Sequence, residues 1–222
     1  MLPRYENKVH EIQKLICTLI KSTVMANKIA LEAYSNHNSS EYDEVKTVLK
    51  TIEHDANNID NEIIKTFALF GPEAHELRML ISYLKMTNEL VRIGEGSKKY
   101  ARRMHNHCQS DCDLIPFDNV IIQLDKSALN ALQYIYDCFE NIETCNVEDN
   151  YRKVMVEESK NDDLFAILEK DIMTQIISET DLSVEYVKVL GTLRKLERVC
   201  DRAVNVANLI MFAQRGGAIK VY

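Results

Sequence analysis

Glu197 and Asp201 lie four residues apart in the run Leu196-Glu197-Arg198-Val199-Cys200-Asp201, and residues so spaced share one face of a helix. Such a pair offers two carboxylates to a hard cation. A second pair with the same spacing, Glu158 and Asp162, occurs upstream. There the apolar stripe reads Met155, then the two acids, then Phe165, Leu168, Ile172 and Ile176, so the helical period assigns both acids to the interior or its rim. If the two segments pack antiparallel, four carboxylates face one another. At roughly 5 Å and an effective dielectric of about 20, each close pair costs on the order of 3 kcal/mol. A cation, protonation or a basic partner must relieve that cost. All-oxygen ligation suits Mg, Mn, Ca or iron, whereas zinc usually takes some nitrogen or sulfur. One acid pair alone is an ordinary solvated helix face; two pairs beside a seam on neighbouring helices weigh equally for a metal site.

The elements that would hold these acids come in two matching sets. Leu90-Val91-Arg92-Ile93-Gly94-Glu95 repeats the later run, with Asp201 standing 106 residues after Glu95. Around it Leu80, Tyr83, Thr87, Leu90, Gly94, Ser97 and Ala101 form one stripe. The same offset gives Tyr186, Val189, Leu193, Leu196, Cys200, Ala203 and Ala207. Periodicity predicts six long helices: one carrying Val9 to Ala33, one from about Ser40 to Gly71-Pro72, one over 73–104, then three more from Phe117 onward. The expected architecture is all-α: two tandem three-helix bundles, over 1–106 and 117–222, joined by a linker at 107–116 and related by a pseudo-twofold duplication. A period this long is a duplicated domain and not a solenoid repeat.

The 222 residues suffice for a full core. A formal net charge of −7 excludes non-specific binding of nucleic acid, which needs a basic face. Lys98-Lys99 and Arg102-Arg103 read as solvated helix edges, and Arg92 and Arg198 as salt-bridge partners of neighbouring helices. No apolar run is long enough for a transmembrane segment and no signal-peptide order opens the chain, so a cytoplasmic protein is expected. The six cysteines, with no Cys-x-x-Cys, read as reduced packing residues. His105, His107, Cys108 and Cys112 match no common zinc spacing and read as a flexible polar connection. A di-metal carboxylate enzyme or storage bundle generally carries Glu-x-x-His motifs, and none of the six histidines has Glu three residues before it. A metal-free structural helical dimer is the other alternative.

The string from Leu196 to Ala207 resembles the signature helix of the PhoU family of phosphate-responsive regulators. Ile59-Asp60, Gly71-Pro72, Leu77-Arg78, Leu84-Lys85 and Arg92-Ile93-Gly94 are similar to that family's second and third helices in order and spacing. The resemblance implies two three-helix bundles, each able to bind metal through Glu/Asp-x-x-x-Asp motifs on its second and third helices. Carried over, the motif is complete in the second bundle as Glu158, Asp162, Glu197 and Asp201. In the first it reads Ala56, Asp60, Val91 and Glu95, so the leading acid is missing from both helices. Divalent or trivalent metal is therefore expected in the second bundle, with Asp60 and Glu95 the weaker set. The resemblance further implies a non-enzymatic homodimer that negatively regulates phosphate uptake and couples a phosphate ABC transporter to a phosphate sensor kinase.

Overall fold

The computed structural model describes residues 3–178 and 180–216. The described residues form seven α-helices: α1 (Pro3–Ser35), α2 (Tyr42–Val48), α3 (Ile52–Phe70), α4 (Ala74–His107), α5 (Asp118–Glu140), α6 (Val147–Ser178) and α7 (Ser183–Arg215). No strand occurs among the described residues. One bundle comprises α1, α2/α3 and α4; the other comprises α5, α6 and α7. The bundles lie side by side, with α4 along α7 and α1 along α5. Each contact thus pairs a helix with its own counterpart, which is the isologous arrangement a twofold requires. The expected all-α, two-bundle architecture with internal pseudo-twofold is what the chain adopts.

The stripes read from periodicity are the core. Val9, Ile12, Ile16, Leu19, Thr23, Ala26, Ala30 and Ala33 are all buried along α1, and the small residues at its far end allow close helix approach. Every stripe position named on α4 and α7 is buried as well. Gly71, in the left-handed region at φ 54, caps α3, its N–H donating to the Phe67 carbonyl at 3.1 Å. The second predicted helix is interrupted, however. Around residue 50 the bonds tighten to i−3 partners, Lys50 N–H to the Thr47 carbonyl and Ile52 N–H to that of Leu49, a local 3₁₀ turn. The buried series Val45, Leu49, Ile52, Ala56 continues across it, so side-chain spacing carries no sign of the break.

Three further expectations are corrected. Cys138 and Cys145 form a disulfide, with Cα atoms 5.2 Å apart. The turn after α5 folds Cys145 back, its N–H bonded to the Asn141 carbonyl, onto the last turn of that helix. Cys17, Cys108, Cys112 and Cys200 stand outside the disulfide. The connection near residue 107 is also not a loose polar tether. Helix α4 runs on to His107, whose ring is buried against Thr192 Oγ1 at 3.0 Å, and His105 Nδ1 lies 2.7 Å from the Ser39 carbonyl. Burial pushes the His107 imidazole below its ordinary range, which keeps it neutral between the two bundles. Nor do Arg92 and Arg198 form ion pairs, as the next subsection reports.

Gly94 of α4 packs against the Ile52 side chain at the start of α3. A Cβ there would run into Ile52 Cδ1, and its counterpart on α7 is the buried Cys200. Gly94→Leu is expected to lower unfolding stability by about 1–3 kcal/mol through overpacking, read as a fall in the urea midpoint. An unchanged midpoint would mean that α3 steps back freely.

Candidate metal centre

Glu158 and Asp162 share a side of α6, Glu197 and Asp201 share a side of α7, and the two helices pack along each other. One carboxylate oxygen from each of Glu158, Asp162 and Asp201 lies within 4.8 Å of the others. Among the described residues this is the acidic group spaced to hold a cation. Glu197 sits one turn earlier on α7 but turns toward Arg194, its Oε2 3.4 Å from the guanidinium Nε. Arg194 also reaches Glu169 at 3.4 Å and stacks over the Phe165 ring at 5.1 Å.

All four acids are held above the ordinary carboxylate range, and burial is the first cause in each. For Glu158 the charges of Asp162 and Asp201 add to it; for Asp162, that of Asp163. Asp201 is raised further by Asp162 while Arg202 and Arg198 pull it down. At Glu197, Arg194 opposes the upward push that Asp201 and Asp162 add. The Cys200 thiol behind them, fully buried, is raised by burial and by the same acids. This is the signature of mutually repelling carboxylates at a half-dry rim.

The reason they occupy the rim lies in α6. Its core line passes through Val154, Asn161, Phe165, Leu168 and Ile172, not through the acids themselves. Asn161 is 0% exposed, and its Nδ2 donates to the Leu124 carbonyl at 2.9 Å and to Ser127 Oγ at 2.7 Å. A polar residue in the core position shifts the apparent stripe by one. Glu158 and Asp162 therefore flank the interior and face α7 instead of entering it.

The first bundle assembles differently. Asp60 accepts a hydrogen bond from Thr87 Oγ1 at 2.6 Å, and burial raises its carboxyl. Glu95 pairs with Lys98, one turn on, which holds its carboxyl down. Ala56 is buried at the position equivalent to Glu158, and Val91 packs against the core. Asp60 and Glu95 are thus separately satisfied by a hydroxyl and an ammonium, and no acid gathers beside them to form a group of three among the described residues.

Two features escaped the sequence reading. Asp125 is 3% exposed and accepts a hydrogen bond from the Tyr100 hydroxyl at 2.5 Å, across the seam between α4 and α5. Burial lifts its carboxyl to about 7, against the pull of that bond. The signal was present: Ile121, Asp125, Ala128, Leu132 and Ile135 step by three and four. Arg92 and Arg198 are exposed and make no ion pair among the described residues, so they do not bridge helices as expected. An arginine that does join the halves is Arg202, paired with Glu89 at 2.9 Å.

The description "PhoU domain" matches the chain twice, over residues 10–104 and 121–210. The Phosphate-specific transport system accessory protein PhoU homolog of Pseudomonas aeruginosa is 25% identical over 194 residues, covering 86% of this chain and 77% of that protein. A homolog from the archaeon Methanothermobacter thermautotrophicus is 23% identical over 210 residues, covering 94% and 93% respectively. Among solved structures, PhoU from Pseudomonas aeruginosa superposes with a TM-score of 0.84 at 21% identity, covering 96% of this chain and 100% of its own. The phosphate transport system regulatory protein PhoU from Streptococcus pneumoniae gives 0.79 at 17%, covering 98% and 100%. One matched segment falls within each bundle, in the order the duplicated stripes require, and on that tandem arrangement the chain belongs to the PhoU family.

Proposed function

We propose that this chain is a regulatory adaptor of phosphate transport, working by binding proteins and not by catalysis. The carrying observation is that both bundles match the family domain, whose relatives bear the name phosphate-specific transport system accessory protein. In this reading it restrains phosphate uptake from the cytoplasm, as a homodimer, by coupling the phosphate ABC transporter to a phosphate sensor kinase. No helix among the described residues is long and apolar enough to cross a membrane, so contact with a transporter would run through its surface.

The second part of the proposal is that the acidic rim of the second bundle holds a metal ion. The residues fit one: three carboxylate oxygens converge, their pKa values are raised by burial and mutual charge, and among the described residues the ion pair made by these acids is that of Glu197 with Arg194. Glu158, Asp162 and Asp201 would be ligands, with Glu197 the fourth acid. An iron, manganese, magnesium or zinc ion bound there supplies charge neutralisation, and through it a fixed α6–α7 surface. Asp60 and Glu95 form the weaker set.

The regulatory reading is tested by deleting the gene. Phosphate-starvation genes should then be expressed in phosphate-rich medium, and normal repression in the deletion strain would overturn it. The metal reading is tested separately by elemental analysis of purified protein. Glu158→Ala with Asp201→Ala should strip the metal, and Asp60→Ala with Glu95→Ala should leave it; equal loss from both would contradict the asymmetry.

A further inference from the structure

On the line where the two bundles meet, α4 and α7 enclose a groove of about 340 Å³. Five cationic side chains line it: Arg92 and Lys99 from α4, and Lys195, Arg198 and Arg202 from α7. The only acid on its walls is Glu95, already paired with Lys98. Arg202 is engaged by Glu89, but Arg92, Lys99, Lys195 and Arg198 have no carboxylate within ion-pair distance among the described residues. Gly96 and Val199 form the apolar floor, where a Cβ added to Gly96 would lie 3.6 Å from Val199 Cγ2.

Such a concentration is unexpected on a chain of net charge −7. Lys195 is half-buried in the groove wall, with Arg198 and Lys99 lining the same concavity. Unrelieved like charges cost stability, so their retention in a concave site points to an anion that relieves them. The groove also coincides with the internal symmetry. Arg198 stands 106 residues after Arg92, so the duplication makes them counterparts. The helices run antiparallel with Glu89 opposite Arg202, a register that puts the two arginines on either side of the pseudo-twofold axis. Two guanidiniums related in this way suit an anion with two ends, because each fork can take two oxygens of one phosphoryl group. The volume exceeds what a single phosphate needs, and no aromatic side chain lines the walls to stack on a base.

We propose that the α4–α7 groove binds a compact polyanion carrying two or more linked phosphoryl groups, held by Arg92 and Arg198 across the axis with Lys99 and Lys195 alongside. The site lies apart from the metal reading and does not depend on it.

The test is calorimetric titration of the full chain, freed of metal by chelation, with sodium tripolyphosphate at about 0.1 M ionic strength, where exposed charges act over about 10 Å. Saturable binding of about one tripolyphosphate per chain is expected. Arg92→Gln with Arg198→Gln should weaken it more than tenfold, and Gly96→Asp, which adds a carboxylate at the floor, should do the same. Lys28→Gln on α1, which lines no part of the groove, should leave it unchanged, as should Glu158→Gln with Asp162→Asn, which separates this site from the metal site. Thermal melting confirms that each variant is folded. Failure of wild-type protein to saturate by about 1 mM, the limit of weak specific binding, would overturn the proposal. So would citrate binding as tightly as tripolyphosphate, equal affinity in the arginine variant, or capture by phosphatidylglycerol vesicles without binding of the soluble anion.

Discussion

Replacing Asp125 by Asn is expected to make the protein more stable at pH 8, by about 1–3 kcal/mol, and to flatten its stability between about pH 4 and pH 7. The wild-type carboxyl is fully buried, and its pKa in the folded chain stands at about 7. In the unfolded chain it ionises near the ordinary value, around 4. Across that window the folded state binds the extra proton. Stability is therefore full below pH 4 and falls as pH rises through 7, where the folded protein must either bury a charge or open. Asn keeps a neutral acceptor for the Tyr100 hydroxyl, now 2.5 Å from Asp125 Oδ2, and removes the titration. Urea unfolding of both proteins at pH 5 and pH 8 checks this. A variant no more stable than wild type at pH 8 would show that Asp125 ionises at little cost.

Metal should act at the acidic rim of α6 and α7, and with the opposite sense of pH. The apo protein is expected to melt lower as pH rises from 5 to 7.5, because Glu158, Asp162, Glu197 and Asp201 all have raised pKa values and lose protons into one another's field. A cation needs those same groups deprotonated. Added manganese should therefore raise the melting temperature strongly at pH 7.5 and weakly at pH 5. At a hundredfold excess over the dissociation constant the gain is about 2.7 kcal/mol, or roughly 5–10 °C for a chain of this length. The Glu158→Gln, Asp201→Asn double variant should melt above wild type without metal and gain nothing from it. An identical manganese response in both proteins would place the ion elsewhere.

The long helices were legible because their buried faces follow the helical period without exception, from Val9 to Ala33 and again from Tyr186 to Ala207. The acid pair on α7 was legible for the same reason: Leu196 and Cys200 are core, and Glu197 and Asp201 follow each by one residue. On α6 the rule misled, because Asn161 fills a core position with an amide whose Nδ2 donates to the Leu124 carbonyl and Ser127 Oγ. Hydropathy scores such a residue as surface. Asp125 was hidden in the same way, since a carboxyl kept protonated by burial is spelled like any solvated one. The disulfide and the break near residue 50 depend on backbone turns that no periodic pattern encodes. Groups brought together from α4 and α7 lie some hundred residues apart in sequence, and the groove they form appears only once the helices are docked.

Covalent tandem linkage changes what each half is free to lose. In a dimer of identical three-helix units, any substitution appears on both sides of the axis, so a residue needed at one site must persist at both. Here the two sides are separate stretches of one gene product, and their histories have come apart: Ala56 faces the same duty as Glu158, and Val91 the same as Glu197. Glu89 and Lys195, symmetry counterparts by the 106-residue offset, now carry opposite charge, and Glu89 has become the anchor for Arg202. Joining the halves end to end has turned a symmetric pair into a molecule with two different faces.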